Sequence, residues 1–209
     1  MFDKRIKLYT LLSGIFLSAL LLAEITGGKL IQMPFAGSLT FTVTMGVLPF
    51  PLTFVITDII NEFYGRSGIR FITFVGMGMV LLVMLLLQVE MMIPAAVSSP
   101  IDDLSFNRVF GVSVRIIIGS LTAYIVSQLV DISVFHLLRS RTGARMLWLR
   151  ATGSTLVSQL LDSFLVLYIA FAGTLPVDVI TGIGAANYLF KALIAILVTP
   201  LLYGLHRAI

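Results

Sequence analysis

The sequence has no cysteine and little charge. Without a cysteine among its 209 residues the chain can form no disulfide, no thiol nucleophile and no Cys-ligated metal site. Only 11% of the residues are charged, against about 25% in a soluble globular domain, and 58% are hydrophobic. A chain with so little polar surface cannot cover an exterior that faces water. The composition therefore predicts a protein embedded in a lipid bilayer.

Catalytic motifs are missing as well. The chain has no H-E-x-x-H zinc motif, no G-x-S-x-G nucleophile elbow and no Walker A phosphate loop. Its histidines, His136 and His206, lie at the ends of apolar segments, where a lone His is more typical of an interface than of a catalytic base. We therefore predict no enzyme activity, no cofactor and no metal site. A membrane enzyme acting on lipid stays an alternative, because paired carboxylates can catalyse.

Six apolar segments are present, at roughly 8–30, 41–63, 69–93, 109–138, 152–172 and 183–206. Each has about 20 or more residues, which is enough for a helix to cross about 30 Å of hydrocarbon. The pattern predicts an all-α membrane protein with six transmembrane helices and one domain over residues 1–209. Gly46, Pro49 and Pro51 can break the second helix, so this span is expected to be either unwound or kinked.

Lysine and arginine concentrate in alternate loops. They lie before the first segment, between the second and third, between the fourth and fifth, and after the sixth: Lys4, Arg5, Lys7, Arg66, Arg70, Arg139, Arg141, Arg145, Arg150 and Arg207. Because cytoplasmic loops are enriched in these residues, the alternation predicts that both termini are cytoplasmic. The net charge of +4 is then explained by topology, and we predict no nucleic acid partner.

Ten ionisable or amide side chains lie deep inside the segments: Glu24, Asp58, Asn61, Glu62, Gln128, Asp131, Gln159, Asp162, Asn187 and Lys191. An ionisable group at this depth costs about 2.5–3.5 kcal/mol on insertion scales, so each is a candidate for function. The alternative is that they join helices by hydrogen bonds worth roughly 0.6 kcal/mol each.

Their spacing places them on shared helix faces. Asp58, Asn61 and Glu62 stand at i, i+3 and i+4. The segments "SQLVD" (Ser127–Asp131) and "SQLLD" (Ser158–Asp162) each place Gln and Asp three residues apart. A face that carries both an amide and a carboxylate is a hydrogen-bonding surface rather than a lipid-facing one.

Depth along the helices predicts one ion pair. Asp162 lies eleven residues before Gly173, and Lys191 lies nine residues after Gly182. At 1.5 Å per residue the two side chains reach similar depth, so we predict a charge pair that switches between transport states. The predicted substrate-binding residues are Asp58, Asn61, Gln128, Asp131, Gln159, Asp162, Asn187 and Lys191.

Four stretches resemble the bacterial queuosine precursor transporter family: "FPLTFVITDIINEFYG" (50–65), "SQLVDISVFHLLR" (127–139), "GSTLVSQLLDSFLVLYIAF" (153–171) and "NYLFKALIAILVTPLLYG" (187–204). The resemblance implies uptake of 7-cyano- and 7-aminomethyl-7-deazaguanine across the cytoplasmic (inner) membrane by a multi-pass secondary or facilitative transporter. It carries Asp58, Gln128, Asp131, Asp162 and Lys191 over as motif positions. The first span departs most from the family pattern, which leaves Glu24 and Lys29 unassigned.

Alternatives remain open at this point. The chain is also compatible with the substrate-binding subunit of an energy-coupling-factor vitamin importer, since "ALLLA" (19–23) has the small-residue spacing that lets another helix approach. A purely structural membrane partner is a further alternative. A homodimer is compatible with so small a transporter, although no residue pattern determines the oligomeric state.

Overall fold

The computed structural model describes the backbone of residues 3–34, 40–142 and 147–208. Five α-helices run through this part of the chain: α1 (Lys4–Thr26), α2 (Phe50–Glu90), α3 (Asp103–Thr142), α4 (Leu147–Phe171) and α5 (Val177–Ala208). Between α1 and α2 lie the strands β1 (Leu30–Pro34) and β2 (Thr40–Thr44), followed by a 3₁₀ turn at Met45–Val47.

The strands form an antiparallel hairpin in which Leu30 pairs with Thr44 and Pro34 with Thr40. Here the sequence prediction was wrong, because a second helical span was expected from residue 41 and the structure begins α2 at Phe50. The alternation in "TFTVT" is a strand pattern, and β-branched Thr and Val favour extended backbone. The all-α expectation is corrected to a helical protein with one β-hairpin.

A close backbone approach holds the end of the hairpin against α1. A Cβ atom added at Gly46 would lie 2.6 Å from Ala23 O and 3.2 Å from Gly27 Cα. Only glycine leaves room for this contact. The start of α2 is thereby placed beside the end of α1. Of the two alternatives left open for this stretch, unwound or kinked, the structure shows a 3₁₀ turn at Met45–Val47 and a helix that begins only at Phe50.

Helix α2 reverses direction at Gly65, whose φ of 66° lies in the left-handed region that glycine adopts without strain. Just before the reversal, Tyr64 Oη donates to Arg5 O at 2.7 Å near the start of α1. Eleven residues after it, Gly76 lies against Leu20 near the end of α1. The first half of α2 therefore runs antiparallel to α1 and the second half parallel to it, which agrees with the two separate segments that the sequence predicts.

Several helices are suited to a bilayer. Within the described residues, four stretches are long and apolar enough to cross a membrane: Lys4–Thr26, Ser67–Glu90, Asp103–Ser127 and Val177–Ile194. Shorter apolar helical stretches occupy Met45–Thr57 and Leu156–Phe171. The prediction of a multi-pass helical membrane protein is confirmed at this level.

Three buried clusters hold the helices together. Leu12 and Phe16 of α1 pack with Ile60 and Ile72, one from each half of α2. Helices α3, α4 and α5 share a second cluster, and a third joins the hairpin to α5. These contacts fix the positions of the helices and the hairpin relative to one another.

Candidate functional site

A cavity of about 320 Å³ lies between the end of the hairpin and all five helices. Its apolar lining includes Phe16, Phe50 and Phe171. Its polar lining is drawn from every helix and from β2: Glu24, Thr44, Thr53, Thr73, Ser120, Tyr124, Gln159, Asp162, Ser163, Asn187 and Lys191. So many polar groups facing one apolar-walled space in a membrane bundle mark it as the candidate site.

An ion pair crosses from α5 to α4. Lys191 Nζ donates to Asp162 Oδ2 at 3.0 Å, and the two side chains are 15% and 21% exposed. The ammonium also lies 4.8 Å from the ring centroid of Phe50, a cation–π distance, so it connects the start of α2 to the pair. The pair predicted from helix depth is confirmed.

Two acceptors on α4 have no partner among the described residues. Gln159, Asp162 and Ser163 stand at i, i+3 and i+4 and line the cavity together. Gln159 Oε1 and Ser163 Oγ are buried without a hydrogen bond to any described group, and Ser163 is 3% exposed. Buried polar atoms are nearly always paired, so orphans in a cavity wall indicate groups that a ligand satisfies.

A second carboxylate enters the cavity from α1. Ser120 Oγ of α3 donates to Glu24 Oε2 at 2.8 Å. Nearby, Ser113 Oγ donates to Ile25 O at 2.7 Å, which fixes α3 against the end of α1. The sequence singled out Glu24 as a buried charge but did not include it among the binding residues. No pattern pointed to Ser120, Ser163 or Thr44 as cavity residues.

Asn187 is 6% exposed and is bonded to the hairpin. Its Oδ1 accepts from Thr44 N at 3.2 Å, and its Nδ2 donates to Thr44 Oγ1 at 3.0 Å. The amide therefore positions β2 at the rim of the cavity, a contact that the sequence did not predict. A role for Asn187 in substrate binding stays a prediction.

Four of the eight predicted site residues, Gln159, Asp162, Asn187 and Lys191, line this one cavity. The side chains of the other four, Asp58, Asn61, Gln128 and Asp131, lie outside the described residues. Among the residues that the structure describes, no group of three or more His, Asp or Glu side chains is close enough to hold a metal ion.

A bundle of apolar helices around a charged, partly unsatisfied cavity is the arrangement of a membrane transporter. Residues 44–205 match the family model described as "Putative vitamin uptake transporter". The chain belongs to this family. The matched range begins at the last residue of β2 and covers α2, α3, α4 and most of α5, whereas Glu24 lies before it.

The chain is similar to three named transporters. A Bacillus subtilis protein named "Probable queuosine precursor transporter" is 34% identical over 169 residues, which cover 80% of this chain and 73% of the relative. A Haemophilus influenzae protein of the same name is 31% identical over 179 residues, covering 84% of this chain and 73% of the relative. The Escherichia coli "Queuosine precursor transporter" is 29% identical over 198 residues, covering 88% and 81%.

These relatives are named as transporters and not as enzymes, in agreement with the sequence prediction. The family resemblance inferred from the four sequence stretches is confirmed. No solved structure matches the chain.

Proposed function

We propose that the protein imports the queuosine precursors 7-cyano- and 7-aminomethyl-7-deazaguanine across the bacterial cytoplasmic membrane. It acts by alternating access as a secondary or facilitative transporter. In this proposal residues 1–209 form one membrane domain that crosses the bilayer six times with both termini in the cytoplasm. Family membership and the names of the relatives support the substrate class. The observation that carries the proposal is the cavity with its unsatisfied acceptors on α4.

The cavity suits a small flat heterocycle in size. Ligand pockets commonly measure about 300–1,000 Å³, and this one, at about 320 Å³, lies at the small end of that range. A bicyclic base fits such a space. Phe16, Phe50 and Tyr124 line the cavity, and aromatic rings of this kind stack on the faces of bases.

The polar face of α4 complements one edge of a deazaguanine. That edge presents a ring N–H, an amino group and a carbonyl oxygen within a few ångströms of one another. Gln159 Oε1 can accept from an N–H, and Ser163 Oγ can both accept and donate. Asp162 keeps Oδ1 as an acceptor while its Oδ2 binds Lys191. These three neighbouring side chains can therefore hydrogen-bond to every polar group on that edge.

The Asp162–Lys191 pair is proposed to couple binding to movement. It joins α4 to α5, and Lys191 also lies over Phe50 at the start of α2. A ligand that hydrogen-bonds to Asp162 competes with the ammonium for the carboxylate and shifts the balance between packed states. Asp58, Asn61, Gln128 and Asp131 are proposed to continue the path on the cytoplasmic side.

Uptake tests the function directly. The chain is expressed in a bacterium that can neither synthesise deazaguanines nor import them, 7-cyano-7-deazaguanine is supplied at low concentration, and tRNA is assayed for queuosine. We expect the modification to return with the wild-type chain and to be lost with Asp162→Asn.

The matched control is Asp178→Asn, which removes an exposed carboxylate in the first turn of α5. This variant should support normal modification, and membrane fractions should contain all three proteins in equal amounts. Wild-type protein that reaches the membrane without restoring queuosine would contradict the function. Asp162→Asn with full uptake would contradict the assignment of the site.

A further inference from the structure

The charges in the cavity do not balance. Its described lining contains two carboxylates, Glu24 and Asp162, and one ammonium, Lys191. The ammonium is bonded to Asp162 at 3.0 Å and lies over an aromatic ring. Glu24 has no ion pair among the described residues, and it accepts a hydrogen bond from a neutral hydroxyl, Ser120 Oγ. One carboxylate inside the bundle therefore has no ion pair within the part of the chain that the structure describes.

A charge inside a membrane protein normally faces a partner or a functional path. The same cavity gives independent evidence for a ligand, because Ser163 is 3% exposed and its buried Oγ has no hydrogen-bond partner among the described residues. The site is thus incomplete in both hydrogen bonding and charge. A ligand that combines a hydrogen-bonding edge with a positive group would satisfy both.

We propose that Glu24, held by Ser120, binds the primary ammonium group of a cationic substrate and so determines specificity between charged and neutral forms of one heterocycle. This inference rests on the proposed function. The 7-aminomethyl precursor carries an ammonium at the five-membered ring, whereas the 7-cyano precursor carries a neutral nitrile there. The α4 face binds the edge common to both compounds, and Glu24 binds the substituent in which they differ.

The contact is chemically well matched. A primary ammonium has three donors and no acceptor, and a carboxylate is an acceptor only. Ser120 Oγ donates to Oε2, which leaves Oε1 and further lone pairs to receive the ammonium. Charge-assisted hydrogen bonds of this kind are roughly twice as strong as neutral ones. A nitrile offers no donor and gains nothing from the carboxylate.

The test compares both precursors on one variant. Wild-type protein and Glu24→Gln are purified in detergent, and binding of each precursor is measured by ligand-induced thermal shift over a concentration series. Uptake of each labelled precursor into cells gives a second readout. For Glu24→Gln we expect about a tenfold loss of affinity for the aminomethyl compound, equivalent to about 1.4 kcal/mol. Affinity for the cyano compound should change by less than about twofold.

Two further variants keep the test decisive. Glu90→Gln makes the same chemical change at an exposed position at the end of α2 and should leave both affinities unchanged. Ser120→Ala retains the carboxylate but removes its support, and should weaken aminomethyl binding by a few-fold. If Glu24→Gln does not fold, as judged by its unliganded melting, Ser120→Ala still has to reduce aminomethyl binding more than cyano binding.

Each other outcome overturns the inference. Equal losses for both precursors would place Glu24 on the shared edge or in a structural role. Unchanged aminomethyl binding would remove the contact altogether. If wild-type protein binds neither precursor, the proposed function fails and the inference fails with it. If wild-type protein binds both precursors, only the role of Glu24 is at issue.

Discussion

Asp162 and Glu24 are two carboxylates that line the same cavity but are stabilised in different ways. Asp162 binds an ammonium at 3.0 Å, so its charge is neutralised within the protein. Glu24 receives a hydrogen bond from a serine hydroxyl at 2.8 Å and forms no direct ion pair with any described residue. The same cavity therefore contains one carboxylate in an ion pair that joins two helices and one carboxylate bonded only to a hydroxyl among the described residues. We therefore expect that breaking the Asp162 ion pair mainly lowers stability, and that substituting Glu24 mainly changes selectivity.

The largest effect is expected from Lys191→Met, which leaves Asp162 without its counter-ion inside the bundle. Breaking a fully buried pair costs about 3–5 kcal/mol. Because Asp162 is 21% exposed, we expect roughly 2 kcal/mol, using that range as an upper bound. Thermal unfolding in detergent should show the loss, and uptake should fall to background.

The double variant Lys191→Met with Asp162→Asn sharpens this prediction. Removing both charges should restore most of the stability, since no unpaired charge is left, while uptake stays absent. If both the single and the double variant transport normally, the ion pair has no part in the mechanism.

An intermediate effect is expected from Asn187→Leu, which tests a polar cavity residue that hydrogen-bonds to both the main chain and the side chain of Thr44. The substitution removes two hydrogen bonds to Thr44 and leaves the buried Thr44 N–H unsatisfied. Such a loss costs about 1–3 kcal/mol. We expect a lower melting temperature of the purified protein. Leu189→Ala, two residues away and 58% exposed, is the control and should melt close to wild type.

The smallest effect on stability is expected from Glu24→Gln. The new amide oxygen still accepts from Ser120 Oγ, and the substitution removes a charge that has no partner in the described protein. We expect the free energy of unfolding to stay within about 1 kcal/mol of wild type, the size of one ordinary hydrogen bond. A destabilisation as large as that of Lys191→Met would show that the two carboxylates have the same structural role.

Regular helix geometry explains what could be predicted about the site. The Asp162–Lys191 pair followed from counting residues to the turn between α4 and α5, because each helical residue advances a fixed 1.5 Å. The shared face of Gln159 and Asp162 followed from three-residue spacing for the same reason. Both are properties of a single helix or of two helices joined by a short turn.

Contacts between distant segments explain what could not be predicted. Hydropathy alone does not separate a buried strand from a helix of the same length, so residues 41–49 were assigned to a span although they form a strand and a 3₁₀ turn. The bonds between Thr44 and Asn187 join residues 143 positions apart. The hydrogen bond between Glu24 and Ser120 joins residues 96 positions apart. Periodicity within a helix contains no information about such pairs.

Composition and periodicity were enough to establish a multi-pass helical membrane protein with charged groups inside it, because the cost of burying polar atoms in lipid constrains every residue of a span. Four motif stretches were enough to identify the family. Which buried carboxylate forms an ion pair and which accepts from a hydroxyl depended on how α1, α3, α4 and α5 pack around one cavity. That packing is the sum of many weak contacts between residues far apart in the chain, and it emerges only when the helices are assembled.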